Sequence, residues 1–412
     1  MGVIMKDLNF SEIYKKAKNY EDLVSSYLSR IIKTPAMSNN EKDRIMLLKS
    51  MCEQIGFDEV KIDGLGNLLA RIGNGPKKLV IDAHIDTVGV GDQKAWTKDP
   101  FSGEIKDGYI YGRGASDQLG GAASMLLAGK ILKEMGYKSD KWSIWFSFTI
   151  IEEDCDGLCW KYLIESEKFM PDLFISTEPT GLKIYRGHRG RMEIEINLKG
   201  LSCHGSAPER GVSAAYMASR VALGIEKLNK ELKPDKEKFL GKGTVTVSMM
   251  KVSGPSQCAV PDIGYLYLDR RLTTGETKEL AIEQIEKVIK KYAGINQSEY
   301  NINVPTYSKP SWTGKLFEQE LYFPTWKFDE THPFVSLAKK TYQELFEAKA
   351  VVDKWTFSTN ATCVAGRYNI PSIGFGPGLE KEAHAPNEKI AISDLPVAAA
   401  FYAAIAFSME DF

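Results

Sequence analysis

The chain has 412 residues, 43% of them hydrophobic and 26% charged, with 53 Lys and Arg against 54 Asp and Glu and a formal net charge of −1. That length suggests two or three domains, and the even charge balance argues against a polybasic nucleic-acid binder or membrane-surface protein. Six cysteines in so long a chain do not make a disulfide framework, and the five histidines are few enough to weigh one by one.

Met1 to Phe10 contains no apolar core of signal-peptide length, and no window approaches the roughly 18 continuous apolar residues of a membrane span. The expected location is the cytoplasm, with reduced thiols and neither a membrane nor a nucleic acid as partner. Glu41 to Ile55 places Ile45, Leu48, Cys52 and Ile55 at helical spacing, with Asn39 or Asn40 as cap and Gly56 as stop. Then follow a short apolar strand Leu79–Ile81, a helix Gly120–Leu132, and strands Ser143–Ile151 and Asp172–Ser176. Such alternation predicts a mostly parallel α/β sheet that collects its ligands beyond the carboxyl ends of its strands.

The pattern changes near Gly187 to Gly190. Strand Arg191–Leu198, helix Val212–Leu228, strands Thr244–Lys251 and Gly264–Leu272, helix Lys278–Tyr292 and strand Tyr300–Val304 spell β-α-β-β-α-β, a ferredoxin-like unit. The expected division is an inserted domain over residues 189–307 within a discontinuous larger domain, 1–188 and 308–412. A loop-rich stretch, Pro305–Phe328, leads back to helix–strand alternation that ends in a helix Leu395–Phe407.

Five polar clusters punctuate this frame. His84 and Asp86 follow the strand Leu79–Ile81 and share one side of an extended segment, which lets a carboxylate fix the tautomer of a metal-binding imidazole; a buried core histidine is the alternative. Asp117, in Gly112-Arg113-Gly114-Ala115-Ser116-Asp117, either caps the helix from Gly120 or faces a ligand. Glu152-Glu153-Asp154 ends an apolar strand and is either an exposed acidic turn or a group of like charges that needs cations. Glu178 follows the strand Asp172–Ile175, and His384 follows the glycine-rich Gly374–Gly378. Two histidines with Asp and Glu form the nitrogen and oxygen set that zinc accepts, and cobalt or manganese also fits it. One carboxylate shared by two divalent ions builds a site that activates water and polarises a carbonyl. Of two adjacent glutamates, one binds metal and the other stays free as general base.

Taken together, His84-x-Asp86, Gly112-Arg113-Gly114-x-x-Asp117, Glu152-Glu153, Glu178-Pro179 and His384 resemble the two-zinc metallohydrolases that include acetylornithine deacetylase, succinyl-diaminopimelate desuccinylase, aminoacylase and carboxypeptidase G. Phrases such as SCHGSAPERG and VVDKWTFSTN are similar to those of a selenium-metabolism-linked hydrolase subgroup, a label that specifies no substrate. The resemblance covers nearly the whole chain. It implies that Asp117 bridges two ions, that His84 and Glu178 complete one site, and that Glu153 and His384 complete the other. Glu152 is then the general base and Asp86 orients His84.

The same resemblance implies that the inserted domain is a lid and dimerisation module. His204, in Ser202-Cys203-His204-Gly205, would reach across the homodimer to the oxyanion, and Arg271 would bind a substrate carboxylate. Cys258 and Asn360 stand at substrate-contacting positions where relatives often carry Asn and Asp. The expected activity is hydrolysis of an N-acyl or peptide bond on a small carboxylate-bearing amino acid derivative, with a dipeptidase, a carboxypeptidase or a catalytically silent binding protein as alternatives. Cys155 and Cys159, spaced C-x3-C, lack the second pair of a zinc knuckle. His188 reads as a hinge or packing residue and His332 as a helix-start residue. No G-x-S-x-G elbow or dinucleotide fingerprint in its proper context appears.

Overall fold

The computed structural model describes residues 10–412; most of the leading segment read as lacking a signal-peptide core, residues 1–9, lies outside them. An eight-stranded sheet runs from edge to edge through Glu59–Ile62, Leu68–Ile72, Trp142–Thr149, Lys77–His84, Leu173–Ser176, Ser372–Gly374, Ile184–Tyr185 and Val352–Asp353. Its four central strands, Trp142–Thr149 to Ser372–Gly374, are mutually parallel, while the Leu68–Ile72 side joins antiparallel. All eight residues of Trp142–Thr149 are buried, as expected for a strand covered by helices on both faces. Helices Gly120–Glu134 and Asp394–Ser408 pack on each other; from Leu395 to Phe407 the second is buried at every position but Val397, so its sequence is apolar all round. Among the described residues no helix is long and apolar enough to cross a membrane.

The second sheet is antiparallel, in the order Thr244–Ser253, Ile263–Leu272, Gly190–Lys199, Tyr300–Asn303, with Tyr322–Phe323 added beside the start of Gly190–Lys199. Helix Ala214–Glu231 buries Met217, Ala218, Val221 and Ile225 against this sheet, one apolar stripe at helical spacing. With Leu266, Leu268, Ile285 and Ile289 they form a hydrophobic core separate from that of the large sheet. The β-α-β-β-α-β order expected from the sequence is the order observed.

Local differences have physical causes. Helix Lys42–Ile55 is preceded by Glu41 rather than capped by Asn39 or Asn40, because the Glu41 carboxylate turns inward and accepts from the backbone N–H of Asn39 (2.9 Å) and Ile151 (3.1 Å). Val212 pairs with Leu201, so the helix expected from Val212 starts at Ala214, where the Ser213 hydroxyl accepts from Tyr216 N–H. The helix expected to reach Tyr292 is regular only to Val288 and then widens to its end at Gly294.

His188 sits where the two sheets meet, fully buried against Trp326 and Trp355. Its Nδ1–H donates to Arg189 O, and Nε2 accepts from Thr359 N–H, so the ring is held neutral. Burial lowers its pKa from 6.5 to about 4. Between these values the unfolded chain binds the proton and the folded chain does not, so stability is lost as the pH drops through that window. The full loss for this group is about 3 kcal/mol and levels off below the folded value. Denaturant unfolding from pH 7 to pH 4 is expected to show a steeper acid loss for the wild type than for His188→Gln; parallel curves would refute it.

Candidate metal centre

The parallel strands deliver the site. His84 ends Lys77–His84, Glu152 and Glu153 follow Trp142–Thr149, and Glu178 follows Leu173–Ser176. Asp117 lies in the turn before helix Gly120–Glu134, and His384 comes from a loop with a left-handed backbone, φ 59°. Asp117 stands between the two histidines: its Oδ1 is 3.3 Å from His84 Nε2, and its Oδ2 is 3.4 Å from His384 Nε2. Glu178 Oε1 and Glu152 Oε2 lie 3.7 and 3.8 Å from His84 Nε2, and Glu153 Oε2 lies 3.0 Å from His384 Nε2. Single ligand atoms of His84, Asp117 and Glu153, and likewise of His84, Glu152 and Glu178, fall within 4.8 Å of one another. A Cβ at Gly376 would collide with the carbonyl oxygens of Thr177 and Glu178, so glycine lets that loop cross close behind the Glu178 backbone.

Asp86 meets His84 at Nδ1 through two groups. Its backbone carbonyl accepts from His84 Nδ1 at 2.9 Å, while its carboxylate stands at 3.5 Å from the ring. The carboxylate accepts from Ser38 Oγ (2.7 Å) and from the backbone N–H of Glu152 (3.2 Å) and Glu153 (3.1 Å). Asp86 therefore ties the His84 strand to the turn that carries both glutamates.

A carbonyl only accepts, so Nδ1 of His84 carries its proton and the lone pair of Nε2 in a neutral ring faces three carboxylates. Burial opposes charge on His84, yet the carboxylates of Glu152, Asp117, Asp86 and Glu178 outweigh it and hold its pKa well above the imidazole range. Hydrogen bonds to Asp117 and Glu153 raise His384 to about 10. Burial first, and neighbouring carboxylates after it, push Glu152 and Glu178 far above the usual carboxylate range. Glu178 Oε2 is buried with no hydrogen-bond partner. Divalent cations resolve every one of these conflicts, because they pair with both the imidazole lone pairs and the crowded carboxylates. The residues present fit two such ions.

The remaining expected residues lie elsewhere. Asp154 turns away from the cluster to pair with Lys309 at 2.8 Å. His204 is exposed, with Nδ1 2.7 Å from Ser206 Oγ, and it lines a surface groove together with Cys258. The Arg271 fork is closed on Asp269, at 2.8 and 3.0 Å. Among the described residues, none of His204, Cys258 and Arg271 has a hydrogen bond or ion pair with the cluster. Asn360 lies beside the site strands with its amide already partnered. It is buried, its Oδ1 accepts from Gly157 N–H, and its Nδ2 donates to Asp82 Oδ2 and Thr149 Oγ1. That engagement leaves its amide committed inside the protein. Asp117 is no helix cap either, since helix Gly120–Glu134 starts without a side-chain cap.

Sequence reasoning missed the buried supports, Glu41, Arg44, Arg113 and Glu388. Arg44 donates to the carbonyl of Ile85, beside Asp86, while Glu41 holds Ile151 N–H, beside Glu152. The one signal available was position: Glu388 is four residues past His384, and Arg113 sits inside the glycine-rich turn.

The chain matches the model of peptidase family M20/M25/M40 over residues 80–408. It is 47% identical over 403 residues to the uncharacterized protein YgeY of Escherichia coli K12, covering 98% of each chain. It is 27% identical to an acetylornithine deacetylase of Buchnera aphidicola, over 87% of this chain and 90% of that one. Among solved structures, the Bacillus subtilis YXEP protein, described as a dinuclear metal binding peptidase, shares the fold with a TM-score of 0.69 and 16% identity, over 94% of this chain and 98% of its own. Two histidines and four carboxylates gathered at the ends of parallel strands agree with the family match, and the chain belongs to peptidase family M20/M25/M40 as a metal-dependent hydrolase of amide bonds.

Proposed function

We propose that the chain is a two-metal amidohydrolase that cleaves the N-acyl or peptide bond of a small carboxylate-bearing amino acid derivative. The observation that carries this reading is the division of Asp117, one oxygen toward His84 and the other toward His384. His84, Glu178 and Asp117 would hold one ion, and Glu153, His384 and Asp117 the other. Zinc suits this set best, and cobalt or manganese also fits. Bound, the pair supplies Lewis acidity for the amide carbonyl and a lowered pKa for the attacking water.

Glu152 takes the proton from that water at its carboxylate and returns it to the leaving amine. Asp86 holds the Glu152 backbone at the right depth through the 3.2 Å bond from its N–H. His204, brought by a second copy of the chain, donates to the oxyanion. Arg271 exchanges its Asp269 partner for the substrate carboxylate, a fork-to-fork pairing of the same geometry. Residues 1–188 and 308–412 would form the catalytic domain, and residues 189–307 a lid and dimerisation domain. In support, that unit has its own core, and its edge strand Thr244–Ser253 pairs on one side only and exposes Met249 and Met250. Such an edge suits a homodimer interface. Six free cysteines suit the reducing cytoplasm.

The test is a metal-loaded screen of N-acetyl, N-succinyl and N-carbamoyl amino acids against dipeptides with free amines, with released amine as readout. Hydrolysis of the blocked amino acids is expected. Cleavage confined to dipeptides would favour the dipeptidase alternative, and no turnover with either class would favour the silent binding protein.

A further inference from the structure

We propose that Glu388 is a positioning residue, which together with Arg113 fixes the Asp117 carboxylate between the two metal positions; this rests on the two-metal reading above. Glu388 is completely buried. Its Oε1 accepts from the backbone N–H of Ser116 (2.9 Å) and Asp117 (3.0 Å), and its Oε2 from Gly114 N–H (2.9 Å) and Arg113 Nη1 (2.8 Å). Three backbone donors from one short turn thus converge on one carboxylate, an anion nest occupied by the protein's own side chain. Gly112 N–H adds a bond to the Glu388 carbonyl at 2.9 Å.

The turn needs such an anchor. It reads Gly-Arg-Gly-Ala-Ser-Asp, with Gly112 at φ 153° and Gly114 at φ 85°, and glycines by themselves leave the backbone free. Asp117 has to present two oxygens to two positions at once, so small rotations of its backbone would unbalance the pair.

The same clamp reaches the second histidine. Arg113 donates to the carbonyls of Ala385 (3.3 Å) and His384 (3.4 Å), and its guanidinium stacks over Trp96 at 5.1 Å. Glu388 and Arg113 neutralise each other, so the clamp adds no net charge behind the metal centre while it joins the Asp117 turn to the His384 loop.

Glu388→Gln keeps the shape but puts an NH2 group against two N–H donors in either amide orientation. The expected result is a folded protein, checked by circular dichroism and thermal unfolding, whose zinc affinity by chelator competition is about 10–100-fold weaker, the usual cost of removing such an outer partner. Turnover is expected to recover when zinc is raised, with KM little changed, which a purely structural defect would not show. Glu388→Asp keeps the charge and is expected to lie between wild type and Gln. Wild-type affinity for both ions in a folded Glu388→Gln protein overturns the proposal, as does failure of both variants to fold, which assigns Glu388 to stability alone. Asp117→Asn separates the two readings: if it also retains two ions at full affinity, Asp117 is not the carboxylate the two ions share, and the reading on which the proposal rests is wrong.

Discussion

Glu152→Ala is expected to lose turnover by about 10²–10⁴-fold, the range of a general base, while it keeps both metal ions. The two adjacent glutamates diverge in what they touch. Glu153 is spoken for: Oε2 meets His384 at 3.0 Å and Oε1 accepts from Val88 N–H at 3.2 Å. Glu152 stands on the other side, 3.8 Å from His84 and without contact to His384. Truncating it leaves His84, Asp117, Glu153, Glu178 and His384 in place, and the Asp86 bond to the backbone N–H at 152 survives any side chain there. Metal analysis of the purified variant beside its kcat decides the matter. Loss of an ion, or retained turnover, removes Glu152 from the role of base.

His204→Ala is expected to cut turnover by about 10²–10³-fold, the cost of losing one preorganised donor to an oxyanion, with the metal content intact. In the single chain His204 is exposed, hydrogen-bonded to Ser206 and out of contact with the carboxylate cluster. It has a role in the chemistry only if a second copy or a closing movement carries it there. Mixing separately inactive Glu152→Ala and His204→Ala chains distinguishes these routes. A dimer with one chain of each kind joins an intact Glu152 to an intact His204 across the interface, so mixing is expected to restore activity. If the mixture stays inactive while mixed dimers form, His204 does not act from the other copy.

The parallel strands and the ferredoxin-like order were legible because apolar periodicity reports burial directly, as in Trp142–Thr149 and the Met217, Val221, Ile225 stripe. Element ends were less so. Glu41 looks like an ordinary first-turn acid, but it is drawn inward by the Ile151 N–H, a partner 110 residues away. Asn360 looked like a substrate contact because of the motif around it, and only the packing of Asp82, Thr149 and Gly157 shows that its amide is already used.

The few histidines and the carboxylates at strand ends were determined by the sequence alone, since chemistry-bearing residue types at strand ends are local facts. The tertiary structure decided which oxygen faces which nitrogen. It set one Asp117 oxygen toward each histidine, turned Asp86 toward the glutamate backbone, and buried Glu388 behind the turn. Those pairings join residues dozens to hundreds of positions apart. Distances of 3 to 4 Å between such groups arise from packing the whole sheet and its loops, and no local pattern encodes them.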